Sequence, residues 1–439
     1  MGQSYIKMSR DEILLKIREL VESYFREDKE NFESRKVKVP LMTPMYDHNE
    51  VMEVIDSLFK KQLTLNQYTS NKVERFEDLW AGYIGAKNGV MFNSGSSANL
   101  IALSVLTNPS INNYIRPGSE VITPALTWTT TVSPIFNVNC KPVFVDVDLD
   151  TFTMNVGEVE GAITDKTKAI MPVHLLGYPC DMERIMDIAK KHDLFVVEDS
   201  CEAHGAELNG KKAGSFGDLS TFSFFFSHHL TTIEGGMVLT DNDEFAELAR
   251  IMRSQGVMRN VKNEEYKNRY YKNKEYSKID PKYLFANVGF NFRPMELQGG
   301  FGIEQFKKFD SFLKARENNA RYFLKEFEKF SDYLALPKLK EGVKHAWFAL
   351  PIMVKENAPF KRKGLEMFLN EKGIETRQIM SGNILRHPAL KLFGHRVVGD
   401  LKNTESIHEN AFFFGNHPGI GDKEREYVLQ CFEEFFSKI

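Results

Sequence analysis

KAIMPVHLLGYPCDMERIMDIAKKHDLFVVED, from Lys168 to Asp199, reads as a strand, a helix and a second strand. KAIMPVHLL and LFVVED are near-continuous apolar runs, and residues 181–192 between them carry a helical pattern. Apolar strands flanking a helix point to parallel neighbours buried on both faces. The rhythm extends outward. GVMF, EVITP and KPVFVDVD lie before this stretch, and STFSFFF and GMVLT after it. Residues 96–107 and 243–255 supply further helices. The expectation is an α/β unit around a mostly parallel seven-stranded sheet.

Beyond about residue 300 the pattern changes. A long helix is expected over 303–330, strands at HAWFALPIMV and GIETRQI, and a closing helix over 422–437, which together make a smaller α+β unit. Residues 10–28 read as an amphipathic helix, with Ile13, Leu14, Ile17, Leu20, Val21 and Tyr24 at helical spacing. The expected division is an N-terminal helical extension (1–39), a large domain (40–300) and a small C-terminal domain (301–439). Residues 260–284, rich in Lys and Tyr, read as a solvated loop or short helix, with a lid or subunit contact as the sharper option.

The bulk numbers exclude several classes. The 439 residues are 42% hydrophobic and 27% charged, and the net charge is -3, ordinary for a globular protein. That charge gives no case for nucleic acid as a partner. No apolar run approaches the roughly 18 to 20 residues of a membrane span. The N-terminus lacks a signal-peptide core, and Ile6 departs from the myristoylation pattern, so a cytoplasmic location is expected. Cys140, Cys180, Cys201 and Cys431 are widely spaced, which reads as separate thiols rather than a metal site.

Five motifs carry chemistry. Asn93-Ser-Gly-Ser-Ser-Ala-Asn-Leu100 joins a strand to a helix, where small residues and free N–H groups suit a phosphate, although a plain turn would look the same. Thr127-Trp128 follows the strand EVITP and offers an indole face, for a flat ligand or for the core. Val196-Val-Glu-Asp-Ser-Cys-Glu-Ala-His-Gly205 puts Asp199 at the end of an apolar strand, where open α/β sheets bind ligands. The alternative there is a helix cap. Thr221-Phe-Ser-Phe-Phe-Phe-Ser-His-His-Leu-Thr-Thr-Ile-Glu-Gly-Gly236 ends on a glycine turn and contains His228-His229. Gly289-Phe-Asn-Phe-Arg-Pro-Met-Glu-Leu-Gln298 is the fifth.

In this order and spacing, from about residue 40 to the C-terminus, the motifs resemble the DegT/StrS-type sugar aminotransferases that use pyridoxal phosphate. The resemblance implies an aspartate aminotransferase-like fold of type I. It implies that Gly95, Ser96, Ser97 and Ser223 serve the cofactor phosphate, and that Trp128 stacks on the pyridine ring. It further implies that Asp199 pairs with the pyridine nitrogen, that Glu202 neighbours a cofactor oxygen, and that Asn291 reaches the phosphate of a neighbouring subunit, hence a homodimer with shared sites. Pro294 stands where the family usually has Met. Arg377 in GIETRQ and Asn416-His-Pro-Gly-Ile-Gly421 extend the match.

The departure from the family is the informative part. Its cofactor lysine, followed by Asn, is here His228-His229, and no lysine occurs between Lys212 and Lys262. A histidine cannot form the covalent bond to the cofactor that a lysine forms, but it can move protons near neutral pH. His-His before Thr-x-x-Glu-Gly-Gly resembles the nucleotide-sugar 3-dehydratase branch, which serves the synthesis of dideoxy sugars for surface polysaccharides such as lipopolysaccharide O-antigen. One style of that branch acts on a CDP-sugar with a [2Fe–2S] cluster and a reductase. The other acts on a GDP-sugar and takes its amino group from glutamate. Cys201 matches one cluster ligand, but no cysteine lies between it and Cys431, so no iron–sulfur cluster is expected and the GDP style is favoured.

The expected activity is therefore removal of the C3 hydroxyl from an NDP-4-keto-6-deoxy sugar. The cofactor is expected as non-covalent pyridoxal or pyridoxamine phosphate, with His228 catalytic and Ser227, His229 and Arg377 as substrate candidates. The alternatives are a sugar aminotransferase borrowing a distant lysine, and an inactive cofactor-binding protein.

Overall fold

The computed structural model describes residues 8–27, 32–43, 45–65 and 71–439. The first seven residues, Ile6 among them, and residue 28 of the expected first helix lie outside the described set. The helices used below are α1 (Arg10–Glu27), α2 (His48–Phe59), α3 (Lys72–Ile84), α4 (Gly95–Leu106), α5 (Thr129–Asn137), α6 (Met182–His192), α7 (Asp243–Arg253), α8 (Glu264–Tyr271), α9 (Glu296–Phe327), α10 (Arg362–Glu371), α11 (Lys402–Asn410) and α12 (Asp422–Phe436).

All seven expected strands form. They are β1 (Asn88–Phe92), β2 (Glu120–Pro124), β3 (Lys141–Val145), β4 (Thr167–Ile170), β5 (Phe195–Asp199), β6 (Leu219–Ser223) and β7 (Gly236–Thr240). The second unit contributes β8 (Leu334–Ala335), β9 (Ala349–Val354), β10 (Thr376–Gln378), β11 (Arg396–Val397) and β12 (Ala411–Gly415). The large sheet runs β1-β7-β6-β5-β4-β2-β3-β11. Its members pair in parallel except β7, which is antiparallel to both β1 and β6. The eighth, two-residue strand β11 extends the expected seven; such a short edge has no apolar run to announce it.

Both faces of this sheet are covered. On one, α4 and α7 pack Ala98, Ile101, Val105, Phe245 and Leu248 onto the strands. On the other, α6 packs Met182, Ile185 and Ile188 against Val143, Val145 and Val196. The α6 sequence ends itself. Asp181 accepts from Arg184 N at the N-terminus, Lys190, Lys191 and His192 occupy the last turn, and Asp193 adopts the left-handed region beyond it.

The second core lies around the antiparallel sheet β8-β9-β12-β10, covered by α10, α12 and the later turns of α9, with Phe323, Phe327, Leu365, Phe412, Phe414 and Phe432 inside. Here β9 starts at Ala349, later than HAWFALPIMV suggests, because Trp347 takes a left-handed φ of 53°. Helix α9 starts at Glu296, seven residues before the expected 303. Its Gly299-Gly300-Phe301-Gly302 start discourages a helix reading, yet there α9 presses against α3. A Cβ on Gly299 would lie 2.5 Å from Val73 N.

Residues 260–284 hold more structure than a solvated loop. They contain α8 and three-residue turns, and Met258, Val261, Tyr266 and Leu284 form a small core with Ile251. Among the described residues no helix is long and apolar enough to cross a membrane.

Candidate active site

Because β1 to β6 all run one way, their carboxyl ends meet on one edge of the sheet. A cavity of about 290 Å³ opens there. Ser94, Gly95 and Ser96 come from the turn and helix start after β1, Trp128 from the turn after β2, Asp199, Cys201 and Glu202 from the end of β5 and the turn after it, Ser223 from the end of β6, and Phe225 and His228 from the segment after it. This is where open α/β sheets bind ligands.

The N-terminus of α4 forms one wall. Ser94 caps it, its hydroxyl accepting from Ser97 N at 3.1 Å. A Cβ on Gly95 would lie 2.5 Å from Ser223 Cβ, so only bare backbone fits between the helix start and that serine. Exposed helix N–H groups beside a hydroxyl suit an anionic oxygen. Trp128, 49% exposed, stands at the mouth and precedes α5.

Asp199 is buried and its carboxylate is fixed from behind. Asn99 Nδ2 (3.0 Å) and Thr131 Oγ1 (2.7 Å) donate to Oδ2, and Cys201 N donates to Oδ1 at 3.2 Å. Asn99 is held in turn, its Oδ1 accepting from Thr221 Oγ1 at 2.5 Å. A carboxylate anchored by neutral donors keeps its charge available to a cationic partner in the cavity. Beside it, Leu176 N donates to Glu202 Oε2 at 2.8 Å. Burial, and then the charge of Asp199, push Glu202 up to about 8, so it is a neutral hydrogen-bond donor at neutral pH.

His228 lines the same cavity, its ring packed on Phe348 (centroids 5.4 Å apart) and His204 (5.9 Å). Burial, and then the Arg316 charge, push it down to about 3. The ring is partly open to the cavity, and His228 is neutral at neutral pH. An ordinary histidine value near working pH, the sequence expectation, is displaced because the imidazolium would lie among aromatic rings and beside a guanidinium. Among the described residues no carboxylate pairs with Arg316; it donates to the carbonyls of Trp347, Phe348 and Asn416, and burial lowers it to about 9.

The structure thus gathers Gly95, Ser96, Trp128, Asp199, Glu202, Ser223 and His228 around one cavity, but not the other candidates. Ser97 is engaged in the α4 cap. Ser227 neighbours His228 without lining the cavity. His229 is buried, with Nε2 donating to Ala346 O at 2.9 Å. Arg377 lies on β10 of the second sheet. Asn291 is exposed, bridging to Ser254. Sequence reading missed Asn99, inside the Asn93–Leu100 motif, and Thr131, three residues after Trp128; their offset from Gly95 and Trp128 was the only signal.

The sequence profile of the DegT/DnrJ/EryC1/StrS aminotransferase family matches residues 45–433. The GDP-4-keto-6-deoxy-D-mannose 3-dehydratase of Yersinia pseudotuberculosis is 37% identical over 386 residues, covering 87% of this chain and 94% of that protein. The dTDP-4-dehydro-2,6-dideoxy-D-glucose 3-dehydratase of Saccharopolyspora spinosa is 36% identical, covering 90% and 87%. The solved Escherichia coli GDP-4-keto-6-deoxy-D-mannose-3-dehydratase, with hydrated PLP bound, superimposes with a TM-score of 0.83 at 34% identity, covering 90% of this chain and all of that one. With its fold and nearly its whole length matched, this chain belongs to the DegT/DnrJ/EryC1/StrS aminotransferase family.

Proposed function

We propose that this chain is a pyridoxal/pyridoxamine phosphate-dependent 3-dehydratase, removing the C3 hydroxyl of a nucleotide-linked 4-keto-6-deoxy sugar with glutamate as amino donor. One observation carries the reading: His228 faces the cavity, and among the described residues no lysine lines it. The names of the relatives support the substrate class, one GDP-linked and one dTDP-linked.

The residues fit the cofactor. The α4 N-terminus at Gly95 and Ser96, with the Ser223 hydroxyl, would hold its phosphate; Asp199 would pair with the pyridine nitrogen; Trp128 would cover the ring; neutral Glu202 would donate to a ring oxygen. Bound there, the group supplies an electron sink that lets a neighbouring carbon–oxygen bond break. Without a lysine the chain holds it by these non-covalent contacts alone. Neutral His228 accepts a proton from carbon in the cavity and returns it to the departing C3 oxygen, whereas a lysine amine would compete for the cofactor. Asn291, exposed and outside its own cavity, suits a role in the site of a second copy, so the proposal includes a homodimer.

The test is incubation with L-glutamate and a panel of GDP-, CDP- and dTDP-linked 4-keto-6-deoxy sugars, followed by mass spectrometry. The expected product is lighter than its substrate by one oxygen and contains no new nitrogen, with 2-oxoglutarate and ammonia released. An amino sugar would overturn the reading in favour of transamination. No conversion of any sugar and no 2-oxoglutarate would overturn it in favour of a binding protein.

A further inference from the structure

Behind His228 lies a group of imidazoles that the proposed chemistry leaves unused. His228 Nδ1 is buried and has no partner among the described residues. The same holds for Nδ1 of His229, and of the two buried ring nitrogens of His204 only one is flanked by a backbone group, at Ser223. The rings adjoin: His204 to His228 at 5.9 Å between centroids, nearly parallel at 28°, and His204 to His229 at 5.4 Å. His204 is wholly buried, walled by Trp80, Phe222 and Phe224. Unpaired ring nitrogens gathered in one buried group are unusual, since buried polar atoms nearly always find partners. A buried water making two to four hydrogen bonds is the usual remedy.

The donor and acceptor inventory is determined on one side. His229 Nε2 donates to the Ala346 carbonyl, so its Nδ1 carries a lone pair. The Ser223 backbone flanks His204, giving one ring N–H a direction and leaving the other nitrogen as an acceptor. A water between the rings could donate to His229 Nδ1 and to His204, and would then accept from His228. The hydrogen of neutral His228 would sit on Nδ1, and Nε2 would keep its lone pair. Which nitrogen carries the hydrogen is set by the partner at the other. Among the described residues no carboxylate is hydrogen-bonded to any of the three rings, and burial and then Arg316 lower all three, so the set stays neutral.

We propose that His204 and His229 bind one buried water that accepts the Nδ1–H of His228 and so fixes the tautomer whose Nε2 acts as base. Both are positioning residues. The role of Nε2 as base rests on the dehydratase reading; the water site does not.

The test has two arms. A high-resolution crystal structure of the wild-type holoenzyme should show an ordered water within hydrogen-bond distance of His228 Nδ1, His229 Nδ1 and a His204 nitrogen. A dry cluster, or His228 Nδ1 bonded elsewhere, would overturn the proposal whatever the enzyme turns over. In the kinetic arm, His204→Phe should lower kcat about 10- to 100-fold with KM and cofactor absorbance near native, and His204→Gln should recover most of the loss. Equal damage in the two variants, or none in His204→Phe, would overturn the positioning role of His204. Should His204→Phe fail to fold, the crystal arm and the Gln variant still decide. A water in place in an enzyme that dehydrates nothing would separate failure of the functional reading from failure of this one.

Discussion

At the scale of single residues, the site separates two carboxyls and one imidazole by their surroundings. Asp199 is held by Asn99 and Thr131, Glu202 is raised to about 8, and His228 is lowered. His228→Asn keeps the approximate shape and removes the base, so kcat should fall about 10²–10⁴-fold, the usual share of one acid–base group. The cofactor spectrum should remain, and native turnover by that variant would remove His228 from the mechanism. Glu202 makes a different prediction. It is neutral below about pH 8 and charged above, where a second negative charge appears beside Asp199. Activity should therefore decline on the alkaline side, and Glu202→Gln, which copies the neutral acid, should lose that decline while staying within about tenfold of wild type at pH 7. Identical alkaline limbs in parallel pH–rate profiles would assign the decline to another group. Motif reading found Asp199, Glu202 and His228, because each sits at a strand end or beside a glycine turn. It could not find Asn99 and Thr131. Each is one polar residue among several on its helix, and its meaning appears only when the sheet brings it to Asp199.

Secondary structure was legible where the apolar pattern was strong and the neighbours were ordinary. The seven strands of the large sheet came from such runs, but their ends did not. STFSFFF continues in sequence past Ser223, where β6 ends and the chain turns toward His228. Helix α5, with β-branched Thr129 to Val132 and with Pro134, has no helical signature and forms against β3 and α4. Helix α9 shows how packing overrides propensity. Its early glycines weaken an isolated helix, yet they let it approach α3. Gly299→Ala should therefore destabilise. The added methyl meets Val73 main chain at 2.5 Å, and a forced backbone shift of this kind costs about 1–3 kcal/mol. Gly364→Ala on α10, with open space around the position, is the control and should be neutral or stabilising by up to about 1 kcal/mol. Denaturant titration of both checks it; equal midpoints would mean that α9 and α3 can part without cost.

Across the whole molecule, buried histidines tie the two cores to pH. His204, His228 and His229 lie between the large sheet and the second unit, while His345 and His417 are buried close by. Burial is the first cause lowering each of them, to about 3 for His345 and about 4 for His417. A histidine whose folded value is depressed binds its proton in the unfolded chain first. Its contribution to stability is present above about pH 6.5 and is lost as pH falls toward the folded value. For the two nearly inaccessible rings, His345 and His417, each pH unit below 6.5 removes about 1.4 kcal/mol apiece, so pH 5 should cost about 4 kcal/mol. That is a large part of an ordinary folding free energy of about 5–15 kcal/mol. Carboxyls that burial raises, Glu202 foremost, act in the opposite sense, one strong group against five imidazoles. Those that ion pairs lower, such as Glu160 at about 2, lose their share only below about pH 4.5. His174, raised to about 10 against its burial by Cys180 and Glu198, stabilises equally at both ends of this interval and loses its share only as pH climbs above 6.5. The melting temperature of the holoenzyme should therefore fall steeply between pH 6.5 and 5, before any paired carboxylate titrates. A melting temperature unchanged over that interval would mean that these rings accept protons inside the fold, and that the region around Arg316 is wetter than its burial implies.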